Sequence, residues 1–217
     1  ARSVVMGNRE IEGLHYFDKD IHRNTVSDDA EVLFYIFCCS HKVIAVFRDV
    51  TGAYLLVVDN GNLYVYPLYG MTGLEPKEVL RKLGMIYGEK RANAAWHDRL
   101  QDEFRQEGFK SVDVTEPNLL QREPQGNDKD RCLAMTYVDN IAVASSLGDK
   151  SEVLKKAEKN LAARLPLTKE PETEWNGCQL TWQEGVLSKS VSAYIERLVE
   201  HYKKYYNFGS NKIKLPM

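Results

Sequence analysis

Apolar residues recur along the chain at two spacings, every three to four positions in some segments and in short alternating or unbroken runs in others. The switches between these spacings mark out the elements. Residues 28–40 open on Asp28 and Asp29 and then carry Val32, Leu33, Ile36 and Phe37 at helical spacing, which predicts a helix with its apolar face there. Val43–Phe47 reads as a short buried strand with a carboxylate, Asp49, at its exit, and Tyr54–Val58 with Leu63–Tyr66 flank Asp59-Asn60-Gly61-Asn62 as a hairpin. Residues 91–107 place Ala92, Ala95, Trp96, Leu100 and Phe104 on one helical face, with Gly108 able to stop the helix. Residues 111–130, with Pro117, Pro124 and Gly126, read as a loop or loose hairpin. Cys132–Val138 and Ile141–Ala144 joined by Asp139-Asn140 have the form of a tight antiparallel hairpin. Lys150–Leu165 is an amphipathic helix with Val153, Leu154, Ala157 and Leu161 inward, and Cys178–Trp182 with Val186–Ser188 around Glu184-Gly185 is another hairpin. Residues 191–206 carry Tyr194, Ile195, Leu198, Val199, Tyr202 and Tyr205 on one face of a last helix, with Lys203 and Lys204 near its end favourable for the dipole.

The central order, strand, helix, strand, strand, helix, strand, is that of an α+β protein on the ferredoxin-like split βαβ plan, an antiparallel sheet with helices on one face. That plan makes the first and third strands neighbours, so Asp49 and Asp139 are expected to meet at one edge of the sheet.

With 217 residues, 43% of them hydrophobic and 28% charged, the chain can bury one compact core with an appendage, which excludes disorder, collagen and coiled coil. The net charge of -2 excludes a globally basic surface, so any polyanion site must be local. The split is uneven, -4 over residues 1–80 and +2 over the remainder. Cys38, Cys39, Cys132 and Cys178 form no CxxC pair, and the five histidines lack ligand spacing, so neither a disulfide framework nor a zinc site is expected. No apolar run approaches the ~18–20 residues of a membrane span, which predicts a soluble intracellular protein of cytoplasm or nucleus with no membrane partner. Ala1-Arg2-Ser3-Val4 begins without methionine and already has the character of a strand, as expected of a piece of a longer polypeptide.

Two carboxylates converging on an open sheet edge can hold a pair of divalent cations ~3.5–4 Å apart, the arrangement that stabilises both the attacking and the leaving oxygen in phosphoryl transfer. Asp and Asn are also the residues that strand ends and hairpin turns prefer. Spacing alone leaves both readings open.

A series of motifs narrows the choice. Asp49-Val50-Thr51-Gly52-Ala53-Tyr54 resembles the first palm motif of the reverse transcriptase domain of copia-type retrotransposons, and Leu63 through Gly70 resembles the strand and Pro-Gln-Gly element that follow it, with Tyr69 in place of glutamine. Ile86-Tyr87-Gly88-Glu89-Lys90, leading to Trp96, is similar to the Leu-Tyr-Gly-x-Lys stretch of that family, although Asn93 and Ala94 stand where Pro-Arg is usual. Tyr137-Val138-Asp139-Asn140 resembles the Tyr-Val-Asp-Asp turn with its second aspartate replaced. Trp175-Asn176-Gly177-Cys178-Gln179-Leu180 resembles the primer-grip hairpin, Lys214–Met217 the sequence after the first thumb helix, and Ala1–Val5 a finger strand.

The resemblance implies partial fingers over 1–42, a palm with a fingers insertion and the primer-grip-like hairpin over 43–190, and the start of a thumb over 191–217. It implies an RNA-directed DNA polymerase in which Asp49 and Asp139 bind Mg2+ or Mn2+, with Asn140 beside them. The backbone amides of Val50, Thr51, Gly52 and Ala53 would hold nucleotide phosphates, and Tyr54 would lie under the sugar, where it selects deoxynucleotides. Gly88 and Lys90 would line the nucleotide site, while Trp175, Asn176 and Gly177 would grip the primer. The implied partners are an RNA or DNA template with a DNA primer, deoxynucleotides, and other parts of a larger polyprotein or assembly. Trp96, at helical spacing, reads as a core residue. Asn140 and Ala94 keep a second reading open, a catalytically inactive, repurposed scaffold of the same fold that binds protein or nucleic acid.

Overall fold

Bulky and small apolar residues alternate along β7 (Asn140–Ser145), and with Phe47 and Val50 of β1 (Val46–Val50) buried on opposite sides the main sheet has two buried faces. The structure, a computed structural model, describes residues 10–12, 17, 21, 23, 25–58, 64–65, 73, 78–126, 129–183 and 185–203. Its remaining elements, in chain order, are α1 (Asp28–His41), a 3-10 helix (Ala53–Leu56), β2 (Tyr64–Val65), β3 (Leu80–Arg81), α2 (Ala92–Gln106), β4 (Lys110–Ser111), β5 (Leu119–Arg122), β6 (Cys132–Tyr137), a three-residue 3-10 turn (Gly148–Lys150), α3 (Glu152–Arg164), β8 (Leu167–Lys169), β9 (Glu174–Trp175), β10 (Cys178–Gln183), β11 (Val186–Ser190) and α4 (Ser192–Lys203). The main sheet is antiparallel in the order β4-β5-β6-β7-β1-β8. Its four strands β6-β7-β1-β8 are the second, third, first and fourth of the central pattern, the order that a split βαβ arrangement requires.

Val50, Ile141 and Val143 face α2 and α3, where Trp96, Leu100, Phe104, Leu154, Ala157 and Leu161 complete one core. Arg164 of α3 clamps the two helices, its Nε 2.5 Å from Glu103 and its Nη2 2.7 Å from Glu107. Phe47, Ala142 and Ala144 face the other way, into a second core with Ala30, Phe34 and Cys38 of α1 and Trp175 and Leu180 of the small sheet β11-β10-β9. Helices on one face alone are therefore not what forms. The second face is covered by α1 and the small sheet, because alanines on β7 leave a shallow surface that a helix can approach closely.

The helical face of α1 also differs from the expected one. Ala30, Glu31, Phe34 and Cys38 are buried, whereas Val32, Leu33 and Ile36 are 53%, 54% and 57% exposed. The reason is polar. Glu31 accepts hydrogen bonds from the Tyr35 hydroxyl and the Lys189 ammonium, each at 2.6 Å, and this pairing across 158 positions turns the Glu31 side inward. Ser27 caps the helix, its hydroxyl accepting from the Ala30 amide at 3.1 Å.

Three further expectations change. Residues 54–58 are not a strand: Ala53–Leu56 is a 3-10 helix, Val58 makes a single bridge to Gly84, and Tyr64–Val65 pairs instead with Leu80–Arg81. The turn at 59–62 lies outside the described residues. The fourth strand of the central pattern is Leu167–Lys169 rather than Cys178–Trp182, which pairs into the separate small sheet. The first strand starts at Val46, so Asp49 lies within it. The loose 111–130 segment does form a hairpin, β4 with β5. Expected helices at 91–107 and 150–165 are α2 and α3. The latter starts at Ser151, whose hydroxyl accepts from the Leu154 amide at 2.8 Å and donates to buried Asp130, which also accepts from Ser145 at 2.5 Å. The last helix is described over Ser192–Lys203, and its apolar residues are exposed. Residues 204–217 and 1–9 are outside the described part.

The two faces of α1 predict opposite mutational costs. Phe34→Ala should lose about 3–5 kcal/mol and Ile36→Ala less than about 0.5 kcal/mol, measured by urea unfolding. Equal costs would mean that the helix is turned the other way.

Candidate active site

The register of β1 on β7 sets Asp49 directly opposite Asn140. Directly opposed residues of an antiparallel pair project to the same face with Cβ atoms ~4.5–5.5 Å apart. Alternation from Phe47 and Ala142 puts both side chains on the α1 side of the sheet. Tyr137 pairs with Asn140, so the two turn residues are Val138 and Asp139, not Asp139 and Asn140. Sequence reasoning placed the turn one residue late because Asp-Asn has turn chemistry, whereas the strand pairing fixes where the loop closes. Val138 holds φ +55, a conformation that strains a β-branched side chain by about 1–3 kcal/mol.

Both turn carbonyls are anchored. The Val50 amide donates to the Asp139 carbonyl at 2.8 Å, and the indole N–H of Trp96, fully buried in α2, donates to the Val138 carbonyl at 2.7 Å. Asp139 is thereby tied to the residue that follows Asp49, so the structure brings Asp49, Asp139 and Asn140 to one end of the sheet. Trp96 is in the core, as its spacing suggests, but its grip on the turn was missed. The signal that could have revealed it is chemical: a buried indole N–H needs an acceptor.

The residues after Asp49 divide into two groups. The amides of Val50 and Thr51 are engaged, the second by the Pro166 carbonyl at 3.0 Å, so neither is left for a phosphate. Those of Gly52 and Ala53 precede the first hydrogen bond of the 3-10 helix, from the Leu55 amide to the Gly52 carbonyl at 2.9 Å. Gly52 makes this turn at φ +69, in the left-handed region. Tyr54, half-buried, lies against Tyr87 with ring centroids 4.8 Å apart, which joins the first motif to the Tyr87-Gly88 segment. Burial, then the negative charge of Asp139, then Tyr87 push the Tyr54 hydroxyl above its ordinary pKa. Gly88 has φ +95, and the segment is pinned from below by Glu89, which accepts from the Ile86 amide at 2.7 Å and pairs with Lys82, both side chains being buried. Lys90 is half-buried, and its amide donates to Glu10 at 3.1 Å.

Asn176 and Gly177 form a two-residue turn with φ +48 and +76, between paired Trp175 and Cys178. A cavity of about 150 Å³ separates this turn from the sheet end, lined by Phe47, Arg48, Asn140, Glu170, Trp175 and Asn176 among others. The primer-grip-like residues thus share a cavity with Asn140, with Trp175 itself buried against Phe47 at 5.4 Å between centroids. Arg48 is turned to the opposite face, 2.8 Å from Glu158 of α3. Ala94, where the family usually has arginine, is buried in α2 and brings no cation.

Asp49, Asp139 and Asn140, which the strand pairing brings to this end of the sheet, carry only oxygen as side-chain ligand atoms, two carboxylates and an amide. This suits a hard divalent cation and falls one charge short of three carboxylates. Among the described residues no group of three or more His, Cys, Asp or Glu converges on one point, and no helix is long and apolar enough to cross a membrane.

A mixed fold of antiparallel sheets and helices, with Asp49 opposite Asn140 beside a turn that carries Asp139, frames the candidate site. A family model described as reverse transcriptase (RNA-dependent DNA polymerase) matches residues 1–217, and the chain belongs to this family, in its copia type. No curated protein and no solved structure gave a significant match.

The proximity of Asp139 and Tyr54 can be read by titration. In Asp139→Asn, the Tyr54 phenol should ionise at lower pH than in the parent yet above free tyrosine, since burial persists. The signal is the 295 nm absorbance difference from Tyr54→Phe controls in both backgrounds. An unmoved Tyr54 titration would separate the two groups.

Proposed function

We propose that the chain is the polymerase part of a copia-type reverse transcriptase, with partial fingers over 1–42, a palm over 43–190 and the start of a thumb over 191–217. The observation that carries this reading is the register placing Asp49 opposite Asn140, beside a turn that presents Asp139. Asp49 and Asp139 would hold Mg2+ or Mn2+, which, when bound, polarises the α-phosphate and offsets charge on the entering and leaving oxygens. The primer 3′-hydroxyl gives up its proton to solvent as its oxygen bonds to the α-phosphorus of a deoxynucleotide, while the α–β bridging P–O bond breaks and pyrophosphate departs. The chain's own work is positioning. Gly52 and Ala53 offer amides to the phosphates, Tyr54 gives the sugar an aromatic floor stiffened by Tyr87, and Gly88 and Lys90 line the nucleotide side. The Trp175-Asn176-Gly177 turn faces the primer end across the cavity, with template and primer lying over the sheet end.

Asn140 lowers the catalytic power of this arrangement. At ~4 Å and an effective dielectric of ~20, each unit-charge pair is worth about 4 kcal/mol before desolvation offsets it. An amide oxygen retains coordination without that charge. A second reading, an inactive scaffold of the same fold, is favoured by Asn140 together with the missing cation at Ala94. It differs in requiring no saturable cation site at Asp49.

Primer extension by the parent, Asn140→Asp and Asp49→Asn, each with Mg2+ and Mn2+, tests the proposal. Asn140→Asp should raise Mg2+-dependent extension at least tenfold, and Asp49→Asn should abolish it. Three folded but equally inert proteins would leave the scaffold reading.

A further inference from the structure

We propose that Trp96 is a positioning residue whose indole N–H fixes the orientation of the Val138–Asp139 peptide, and through it the direction in which Asp139 presents its carboxylate. The inference rests on the polymerase reading for its functional meaning and on geometry for the rest. An indole has one donor and no acceptor, and that donor meets the Val138 carbonyl at 2.7 Å. The carbonyl belongs to the central peptide of the two-residue turn.

The dihedral pattern shows why this peptide needs holding. Val138 has positive φ and Asp139 does not, the sign pattern of the II′ form of a hairpin turn and not of the I′ form. The II′ form wants glycine at its first position, where this chain has a β-branched residue. Rotation of the central peptide converts II′ to I′, in which both residues have positive φ, and Asp tolerates that conformation. The turn therefore has an alternative that its own sequence does little to disfavour. In that alternative the Val138 carbonyl points away from Trp96, and Asp139 leaves from a rotated backbone.

The two anchors restrain different groups. The Val50 amide holds the Asp139 carbonyl, beyond the rotating peptide. Trp96 holds the rotating peptide itself, and it sits in α2, six positions after Lys90 in the chain. The void beside the indole, lined by Trp96, Val138, Thr136, Asn118 and Leu100 among others, has room for about 10 Å³, scarcely one water, so in the parent the indole N–H meets the carbonyl directly. The helix following the nucleotide-side motif and the hairpin bearing Asp139 are thus joined by one hydrogen bond at the peptide on which the geometry turns.

The test is a double-mutant cycle on the whole chain, with Trp96→Phe, Val138→Gly and both together. Its readouts are amide hydrogen exchange over residues 136–141 and Mn2+ affinity from the free-ion EPR signal. Trp96→Phe keeps an aromatic ring and removes the donor. It should speed exchange at Asp139 and Asn140 at least tenfold, and weaken Mn2+ about tenfold. Glycine at position 138 suits II′ unaided, so Trp96→Phe should change both readouts less than threefold in that background. Equal effects in the two backgrounds would mean that Trp96 acts only by packing, and would overturn the proposal. If Trp96→Phe does not fold, the parent decides. Its Trp96 indole proton, assigned against Trp175→Phe and Trp182→Phe, should be protected from exchange, and exchange at the rate of an exposed indole would overturn the proposal. A parent that binds no Mn2+ speaks against the polymerase reading, whereas the exchange arm still decides the role of Trp96.

Discussion

The pairing of β1 with β7 is the constraint on which the rest depends. It places Asp49 opposite Asn140 and sorts each side chain of the two strands between the α2–α3 core and the α1 core, while the pairing of β7 with β6 fixes where the 137–140 loop closes. A slip of one residue would exchange the faces, burying Arg48 on the α1 side and sending Phe47 toward α3. The site is thus inseparable from the core, and both cores must be packed for the carboxylates to share an end of the sheet.

Polar contacts then tune what packing has positioned. Glu89 and Lys82 are a buried pair beneath the Tyr87-Gly88 segment, and removing one partner of such a pair is far more costly than replacing both. Glu31, Tyr35 and Lys189 set the rotation of α1, and Arg164 joins α2 to α3. These contacts link residues distant in sequence, and each uses a charge that the core would otherwise have to exclude. Within this framework Asn140 sets a neutral amide directly opposite Asp49.

What could be read from the sequence was what local pattern determines. The 132–145 hairpin, the inward faces of α2 and α3, and the split βαβ order follow from periodicity and turn chemistry over short windows. The rotation of α1 did not, because its sequence supports two apolar stripes, Val32-Leu33-Ile36 and Ala30-Phe34-Cys38, and a partner 158 positions away chooses between them. Leu167–Lys169 was illegible as the fourth strand, being three residues long with only Leu167 apolar. At the site, Asp49, Asp139 and Tyr54 were identifiable by motif. The turn register and the occupied amides of Val50 and Thr51 depend on strand pairing and on Pro166, which no local window contains.

Whether two distant aspartates form one cation-binding cluster is decided most directly by anomalous diffraction from crystals of the chain soaked in Mn2+. The account predicts an anomalous peak at coordination distance from carboxylate oxygens of both Asp49 and Asp139. Carboxylate oxygens more than ~8 Å apart, too far for shared metal chemistry, with manganese bound elsewhere or nowhere, would contradict it.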